Sequence, residues 1–300
     1  MLVDLFFIKN LLIKMPVIQN ISHRNNITML QHLVFHAFFL FSLLSAELIH
    51  SKPGFTEQPR IVENPVPAAP LTCYIDFETE TDVKEITLSI NDAENTIKYI
   101  PKDKKERGYP VYLLHPGREN EITLQITDTG GKTTAGKKKM LFNAPALPDD
   151  PMEFPKIEIT KAAAENASGL ILFNPRRRLP RDVVGEKELN QSFGMLAIAG
   201  KKGNVLWYYR TDSRISDFDR LPNGNISYMT QDSRIVEIDM AGNIIRQWYA
   251  ANRPEGRDRS AIPVAALTFH HDTELLPNGN RMVLSSEVRE IENYYTSEYD

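Results

Sequence analysis

Hydrophobic residues alternate with polar residues in three short segments of the first half of the chain, and this alternation predicts β-strands. The segments are residues 71–77, 86–90 and 122–126, each with an apolar side chain at every second position. Side chains of a strand point alternately to opposite faces, so each segment would bury one face and expose the other. Together with the glycine turn at 128–132, these strands predict an immunoglobulin-like antiparallel β-sandwich over residues 70–145.

Two repeated turn motifs dominate the second half of the chain. Leu-Pro-Asn-Gly-Asn occurs at 221–225 and again at 276–280, and Gly-Asn followed by a hydrophobic strand occurs at 203–204 and 242–243. The two kinds of hairpin alternate, so a unit of about forty residues holds four strands, which is the size of one propeller blade. We therefore predict the first blades of a β-propeller over residues 161–300.

The whole pattern predicts an all-β protein, because no helical period is sustained after residue 50. Residues 47–69 would form an extended leader, and the proline-containing residues 146–160 would link the sandwich to the blades. One complete blade and parts of two others precede residue 300, whereas propellers close with about four to eight blades. We expect the 300 residues to be the N-terminal part of a longer protein.

The N-terminal segment predicts export. Residues 33–46 are an apolar run that is short for a membrane span, with basic residues before it and the polar Glu47 after it. This arrangement is typical of a secretory signal peptide over residues 1–46, although Leu44 stands where a small residue is preferred. An uncleaved anchor is the alternative, and both interpretations place the rest of the chain outside the cytoplasm.

Composition and charge narrow the possible functions. Hydrophobic residues make up 42% of the chain and charged residues 25%, which is enough apolar material to bury a core. The formal net charge of −4 gives no general electrostatic reason to expect nucleic acid or an anionic membrane surface as a partner. Cys73 is the single cysteine, so the sequence offers no internal disulfide and no cysteine metal cluster. Gly-Lys-Thr at 131–133 lacks the first glycine of a phosphate-binding loop, and a hairpin turn explains it.

Two adjacent histidines supply the candidate chemistry. His270 and His271 come just before the second Leu-Pro-Asn-Gly-Asn turn, where the first copy has Ile215 and Ser216. A residue required by the blade framework would tend to recur in each blade, so a change confined to one copy favours a binding or catalytic site. The strand leading into this turn would lie near the central channel of a propeller, where side chains from several blades meet.

The strand period leaves the orientation of the two histidines open. Regular alternation would send His270 and Asp272 to one face and His271 to the other, so the two imidazoles would not bind one ion. This counts against a metal site, and we predict none. Either histidine could face the channel, because the hydrophobic positions do not decide the register. A structural pair hydrogen-bonded between blades is a further hypothesis that the sequence leaves open.

Three features together resemble the bacterial arylsulfate sulfotransferases. They are Phe-His-His-Asp at 269–272 before the repeated turn, the Gly-Asn-Val-Leu-Trp-Tyr hairpin at 203–208, and a small sandwich that opens with Ala-Pro-Leu-Thr at 69–72. The resemblance covers most of residues 60–300 and implies a periplasmic transferase. Such an enzyme moves a sulfuryl group from a phenolic sulfate ester to a phenol acceptor through a sulfated histidine, with no nucleotide sulfate donor and no other cofactor.

The resemblance also implies roles for the histidines. In that family the nucleophilic histidine belongs to a later blade, in a Gln-His-Ala-like segment, and no such segment occurs in this sequence. The catalytic histidine is therefore expected beyond residue 300, and the chain by itself is expected to be inactive. His271 matches the histidine at its register in its own blade, which implies a supporting, sulfate-binding role for it with His270 beside it. The oligomeric state is left open, a homodimer included.

Two other functions fit parts of the pattern. A non-catalytic surface propeller carried on a sandwich would bind a glycan or a protein partner, and its remaining blades would lack a further histidine before an Asn-Gly turn. A quinone-dependent propeller dehydrogenase would need cofactor contacts in several blades, which this sequence does not supply.

Three arginines precede the histidines: Arg253, Arg257 and Arg259. They either form a solvated loop or gather anionic substrates at the mouth of a pocket.

Overall fold

The computed structural model describes residues 54–80, 82–101, 108–158, 160, 169–253, 257 and 259–292. The signal peptide predicted for residues 1–46 lies outside these ranges. The described residues fall in one contact unit, Lys52–Asp300. Among them, no helix has both the length and the apolar character needed to cross a membrane.

Strands form nearly all of the regular structure, which confirms the predicted all-β class. The strands are β1 (Phe55–Glu63), β2 (Cys73–Thr79), β3 (Val83–Ile90), β4 (Asn95–Tyr99), β5 (Tyr109–Val111), β6 (Glu119–Asp128), β7 (Thr133–Ala135), β8 (Met140–Asn143), β9 (Ile171–Phe173), β10 (Gly194–Ala199), β11 (Val205–Thr211), β12 (Ile215–Arg220), β13 (Ile226–Thr230), β14 (Arg234–Ile238), β15 (Ile244–Ala250), β16 (Ile262–Val264), β17 (His270–Leu275) and β18 (Arg281–Leu284). A short helix, α1 (Glu186–Gln191), precedes β10 and was not predicted. Its six residues bury no side chain, so the sequence shows no helical period there.

The first eight strands form the two sheets of the sandwich. One sheet has the order β1-β2-β5, and the other has the order β4-β3-β6-β7 with β8 also paired to β6. The apolar positions predicted on β3 lie directly opposite those predicted on β6, and all of them are buried. The pairs are Ile86–Ile126, Leu88–Leu124 and Ile90–Ile122. The strands predicted from alternation in this half are therefore confirmed.

Strand β1 lies where the sequence predicted only an extended leader. It pairs antiparallel with β2, with an irregular register between Phe55 and Arg60. Arg60 forms an ion pair with Asp76 of β2 at 2.5 Å. Most side chains of β1 are exposed, and Pro59 is tolerated because an edge strand leaves one side without ladder hydrogen bonds. An exposed edge strand carries no alternating apolar signal, which explains why the hydrophobic pattern missed it.

Three further sheets follow in the second half. Their orders are β9-β10-β11, β12-β13-β14-β15-β16 and β17-β18. Strands β12 to β15 form an antiparallel meander of four strands, the arrangement predicted for one blade, and β16 joins its outer edge parallel to β15. The described sheets do not close into a ring, so the propeller itself stays a prediction.

Four hairpin turns in these sheets share one set of backbone hydrogen bonds. In each turn the first residue donates its amide to the carbonyl of the fifth residue, and its own carbonyl accepts the amide of the fourth. The first residues are Gly200, Leu221, Asp239 and Leu276. The fourth residue is always a glycine with φ between 74° and 88°, a region that costs other residues strain. The two repeated motifs of the sequence are therefore one turn type, and the repeat is confirmed.

We call the sheet β12-β13-β14-β15-β16 the middle sheet. The sandwich contacts it through the turn between β14 and β15. Asn64, which follows β1, donates a side-chain hydrogen bond to the carbonyl of Ala241 at 2.9 Å. Asn243 donates to the hydroxyl of Tyr74 at 2.8 Å. One cluster of buried apolar side chains extends from the sandwich strands through β10, β11, β13 and β14. The sandwich therefore shares a core with the two sheets that contain these strands.

Gly242 should tolerate substitution least among the turn glycines. Its φ is 87°, and a Cβ on it would lie 2.9 Å from the Cβ of Ala69. Gly279 has a similar φ of 82° but no atom within 4 Å of an added Cβ, so Gly279→Ala measures backbone strain alone. We expect Gly242→Ala to lower the free energy of unfolding by about 1–3 kcal/mol more than Gly279→Ala, measured by urea denaturation. Equal losses would contradict the close packing of this turn against the sandwich.

Candidate functional site

The predicted histidines lie in an interrupted part of β17. The register with β18 shifts between His270 and Thr273, because β17 advances three residues there while β18 advances one. His271 and Asp272 therefore form a β-bulge outside the regular ladder. His271 has φ 66°, in the left-handed region that residues other than glycine seldom adopt. We call residues 270–273 the histidine bulge.

The bulge overturns the alternation expected for the two histidines. Their rings are not sent to opposite faces: the ring centroids lie 5.1 Å apart, with the planes at 86°. His270 is half-buried, and its Nδ1 is buried without a hydrogen-bond partner, whereas His271 is exposed. The argument that the two imidazoles would not bind one ion assumed a regular strand, and β17 is not regular at this point. The structure brings the two residues together in an edge-to-face pair.

The same position of the preceding repeat also has a bulge. On β12 the register with β13 shifts between Ile215 and Asp217, which places Ser216 outside the ladder. Ser216 aligns with His271 when the two Leu-Pro-Asn-Gly-Asn turns are matched. The interruption of the strand thus occurs in both copies of the repeat, while the histidines occur in one. The bulge therefore belongs to the backbone structure that both copies share, whereas the imidazole side chains are specific to the second copy.

Strand β17 lies beside β12, and a hydrogen bond joins them at the histidine bulge. The backbone amide of Thr273 donates to Oδ2 of Asp217 at 3.1 Å. Burial raises the pKa of Asp217, the Thr273 bond opposes this, and the carboxylates of Asp219 and Asp272 raise it further. The first strands of two successive sheets therefore meet at the predicted site.

Arg281 ties β18 to the middle sheet, and the sequence analysis did not identify it. Its guanidinium donates to Oγ of Ser227 at 2.8 Å, lies 3.6 Å from a carboxylate oxygen of Glu237, and sits over the ring of Trp248 at 4.9 Å from the centroid. Ser227 and Glu237 are buried. Arg281 directly follows the second repeated turn, where the first copy has Ile226. The comparison of copies that singled out the histidines would have found it too.

Three arginines and a surface cleft are the other candidate features. Arg253, Arg257 and Arg259 are exposed, which agrees with a solvated loop. A cleft of about 670 Å³ contains neither histidine, and its lining includes Glu94 and Lys201. Within the described ranges, no group of three or more His, Cys, Asp or Glu side chains is arranged to hold a metal ion.

Two protein-family models match the chain. The model described as Arylsulfotransferase Ig-like domain matches residues 60–141, and the model described as Arylsulfotransferase (ASST) matches residues 156–299. The chain belongs to the arylsulfotransferase family. The resemblance inferred from the sequence is thereby confirmed, and so is the immunoglobulin-like character of the sandwich. No curated protein sequence matches the chain at the significance required.

An exposed imidazole at the histidine bulge can offer an N–H group to an anion. Nδ1 of His270 is buried and has no protein partner, whereas the ring of His271 is exposed and open to an external ligand. A neutral imidazole has one N–H donor and an imidazolium has two. Ionised carboxylates at Asp217 and Asp272 would repel an anion.

Replacing Arg281 by leucine should destabilise the β17–β18 hairpin. The change removes the donor to buried Ser227 and the cation beside buried Glu237, and such losses cost about 1–3 kcal/mol. We expect a decrease of this size in the free energy of unfolding, measured by urea denaturation. Arg178→Leu, at an exposed position before α1, is the matched control and should change it by less than about 0.5 kcal/mol. Equal effects of the two substitutions would show that the contacts of Arg281 do not stabilise the hairpin.

Proposed function

We propose that the chain is part of an arylsulfate sulfotransferase that moves a sulfuryl group from a phenolic sulfate ester to a phenol acceptor. In this proposal a histidine of a further blade, beyond residue 300, forms a sulfohistidine intermediate. His271 and His270 bind the transferring group, and the 300 residues alone are inactive.

The match of the Arylsulfotransferase (ASST) model to residues 156–299 carries the proposal, because this stretch contains the histidine bulge. The pairing of the rings at 5.1 Å adds support, since two adjacent imidazoles can contact neighbouring oxygens of one sulfate group. The replacement of Ile215 and Ser216 by histidines in one copy of the repeat points in the same direction.

The proposed reaction has two transfers at sulfur. In the first, a neutral imidazole nitrogen attacks the sulfur, an N–S bond forms, and the S–O bond to the aryl group breaks to release a phenolate. In the second, the oxygen of the acceptor phenol attacks the same sulfur, the N–S bond breaks, and the acceptor gives up its proton. Imidazole suits both steps because it is a competent nucleophile and a good leaving group. No change of oxidation state occurs.

The supporting histidines act on the charge that develops during each transfer. Sulfuryl transfer, like phosphoryl transfer, is expected to pass through a loose transition state with negative charge on the peripheral oxygens. Donors already fixed beside those oxygens lower the barrier without reorganising. His271 and His270 are two such donors in this proposal, held by the bulge of β17.

The proposed place of action is the periplasm. The apolar residues 33–46, with basic residues before them, match an export signal, and nothing else in the sequence specifies a compartment. Donor and acceptor are phenolic, and their identity within that class is open.

An exchange assay tests the proposed function. Protein expressed from the complete reading frame is mixed with p-nitrophenyl sulfate, with and without phenol. We expect release of p-nitrophenol that depends on phenol and yields phenyl sulfate. With donor alone, peptide mass spectrometry should find one SO₃ group on a histidine. Release that is independent of phenol would indicate a hydrolase, and sulfation on no histidine would contradict the intermediate.

A further inference from the structure

Asp217 lies where it can control the geometry of the histidine bulge. Its Oδ2 accepts the backbone amide of Thr273 at 3.1 Å. Thr273 is the residue at which the ladder between β17 and β18 resumes after the interruption. The hydrogen bond therefore joins the end of the bulge to the preceding sheet.

The bond satisfies a donor that water does not reach. Thr273 is only 1% exposed, so water cannot take the place of the carboxylate if Asp217 is replaced. A buried donor without a partner is costly, and a local shift of the bulge would relieve that cost. The bulge is already strained, because His271 has a φ of 66°. Its geometry is therefore sensitive to the loss of one external contact.

We propose that Asp217 is a positioning residue, which holds the histidine bulge of the next sheet so that His270 and His271 stay paired for binding a sulfate ester. The consequence for sulfate binding rests on the proposed function, whereas the effect on the bulge does not. Asp217 itself does not touch the substrate in this proposal.

The chain offers variants that separate the hydrogen bond from the charge. Asp217→Asn loses the charge but keeps a side-chain oxygen that can accept the amide of Thr273. Asp217→Ala loses both. Asp219 lies two residues further along β12 and is exposed, so Asp219→Ala removes a neighbouring carboxylate without touching this bond.

The first measurement is hydrogen–deuterium exchange by mass spectrometry on the 300-residue chain. We expect Asp217→Ala to raise the exchange rate of peptides covering residues 270–275 by about tenfold, while Asp217→Asn and Asp219→Ala stay near wild type. Unchanged exchange in Asp217→Ala would overturn the inference. If Asp217→Ala does not fold, the exchange of the Thr273 amide in the wild type and in Asp217→Asn tests the inference instead. An amide that is unprotected in either protein would overturn the inference.

The second measurement is the affinity of the same variants for p-nitrophenyl sulfate, by isothermal titration calorimetry on protein expressed from the complete reading frame. We expect about tenfold weaker binding by Asp217→Ala, and recovery to wild-type affinity in Asp217→Asn. Wild-type affinity in Asp217→Ala, despite faster exchange, would overturn the positioning role. A wild-type chain that does not bind p-nitrophenyl sulfate would overturn the proposed role of the histidines, and the exchange data would still decide whether Asp217 holds the bulge.

Discussion

Replacing His271 by asparagine should lower the kcat of sulfuryl exchange between p-nitrophenyl sulfate and phenol by about 10²–10³-fold, the usual effect of losing one oxyanion donor. The substitution removes the imidazole, and asparagine tolerates the left-handed φ of 66° better than most residues, so the bulge should keep its backbone. The measurement is the initial rate of p-nitrophenol release by protein expressed from the complete reading frame.

His115→Asn is the matched control for this prediction. His115 lies in the sandwich, where its Nε2 contacts Glu94 at 2.8 Å, and its loss should leave the exchange rate within about twofold of wild type. An unchanged rate in His271→Asn would reject the supporting role of His271. A loss confined to His270→Asn would move that role to the half-buried ring of the pair.

Replacing Trp207 by alanine should cause the largest loss of stability. The side chain is completely buried, its Nε1 donates to the carbonyl of Met240 at 2.8 Å, and its ring stacks on Tyr209. Truncation of a buried tryptophan costs about 3–5 kcal/mol. For a chain of this size, that should lower the melting temperature by roughly 10 °C, measured by circular dichroism.

Two further substitutions give this prediction its controls. Trp248 is half-buried against Arg281, so Trp248→Ala should cost less than Trp207→Ala. Trp207→Phe keeps most of the apolar surface and loses only the N–H donor, and should cost about 1–2 kcal/mol. A loss in Trp207→Ala no greater than in Trp248→Ala would contradict the central position of Trp207 in the shared core.

The sequence predicted those parts of the fold that leave a periodic signal. Alternation in β3 and β6 identified strands whose apolar residues lie opposite one another. The repeated turns at 221–225 and 276–280 predicted hairpins with common geometry, because a glycine is required where φ is positive. The histidines were identified because they differ between two copies of one repeat.

The sequence did not predict features that depend on partners distant along the chain. The bulge at His271 exists only in the register between β17 and β18, which no local pattern specifies. The contact of Asp217 with Thr273 joins two sheets and leaves no periodic trace. Strand β1 pairs with β2 through a mostly exposed edge, so the hydrophobic signal was absent. Arg281 is the exception, because the first copy of the repeat has Ile226 at the equivalent position and this difference is visible in the sequence.

The most direct test of the central claim is a titration of the ¹³C-labelled imidazole signals of protein expressed from the complete reading frame with p-nitrophenyl sulfate, followed by NMR. The account predicts saturable shifts of the His270 and His271 signals together, with no shift of His115. Unmoved signals from both residues at saturating ester, or a shift of His115 as large as theirs, would contradict a sulfate-binding role for the histidine bulge.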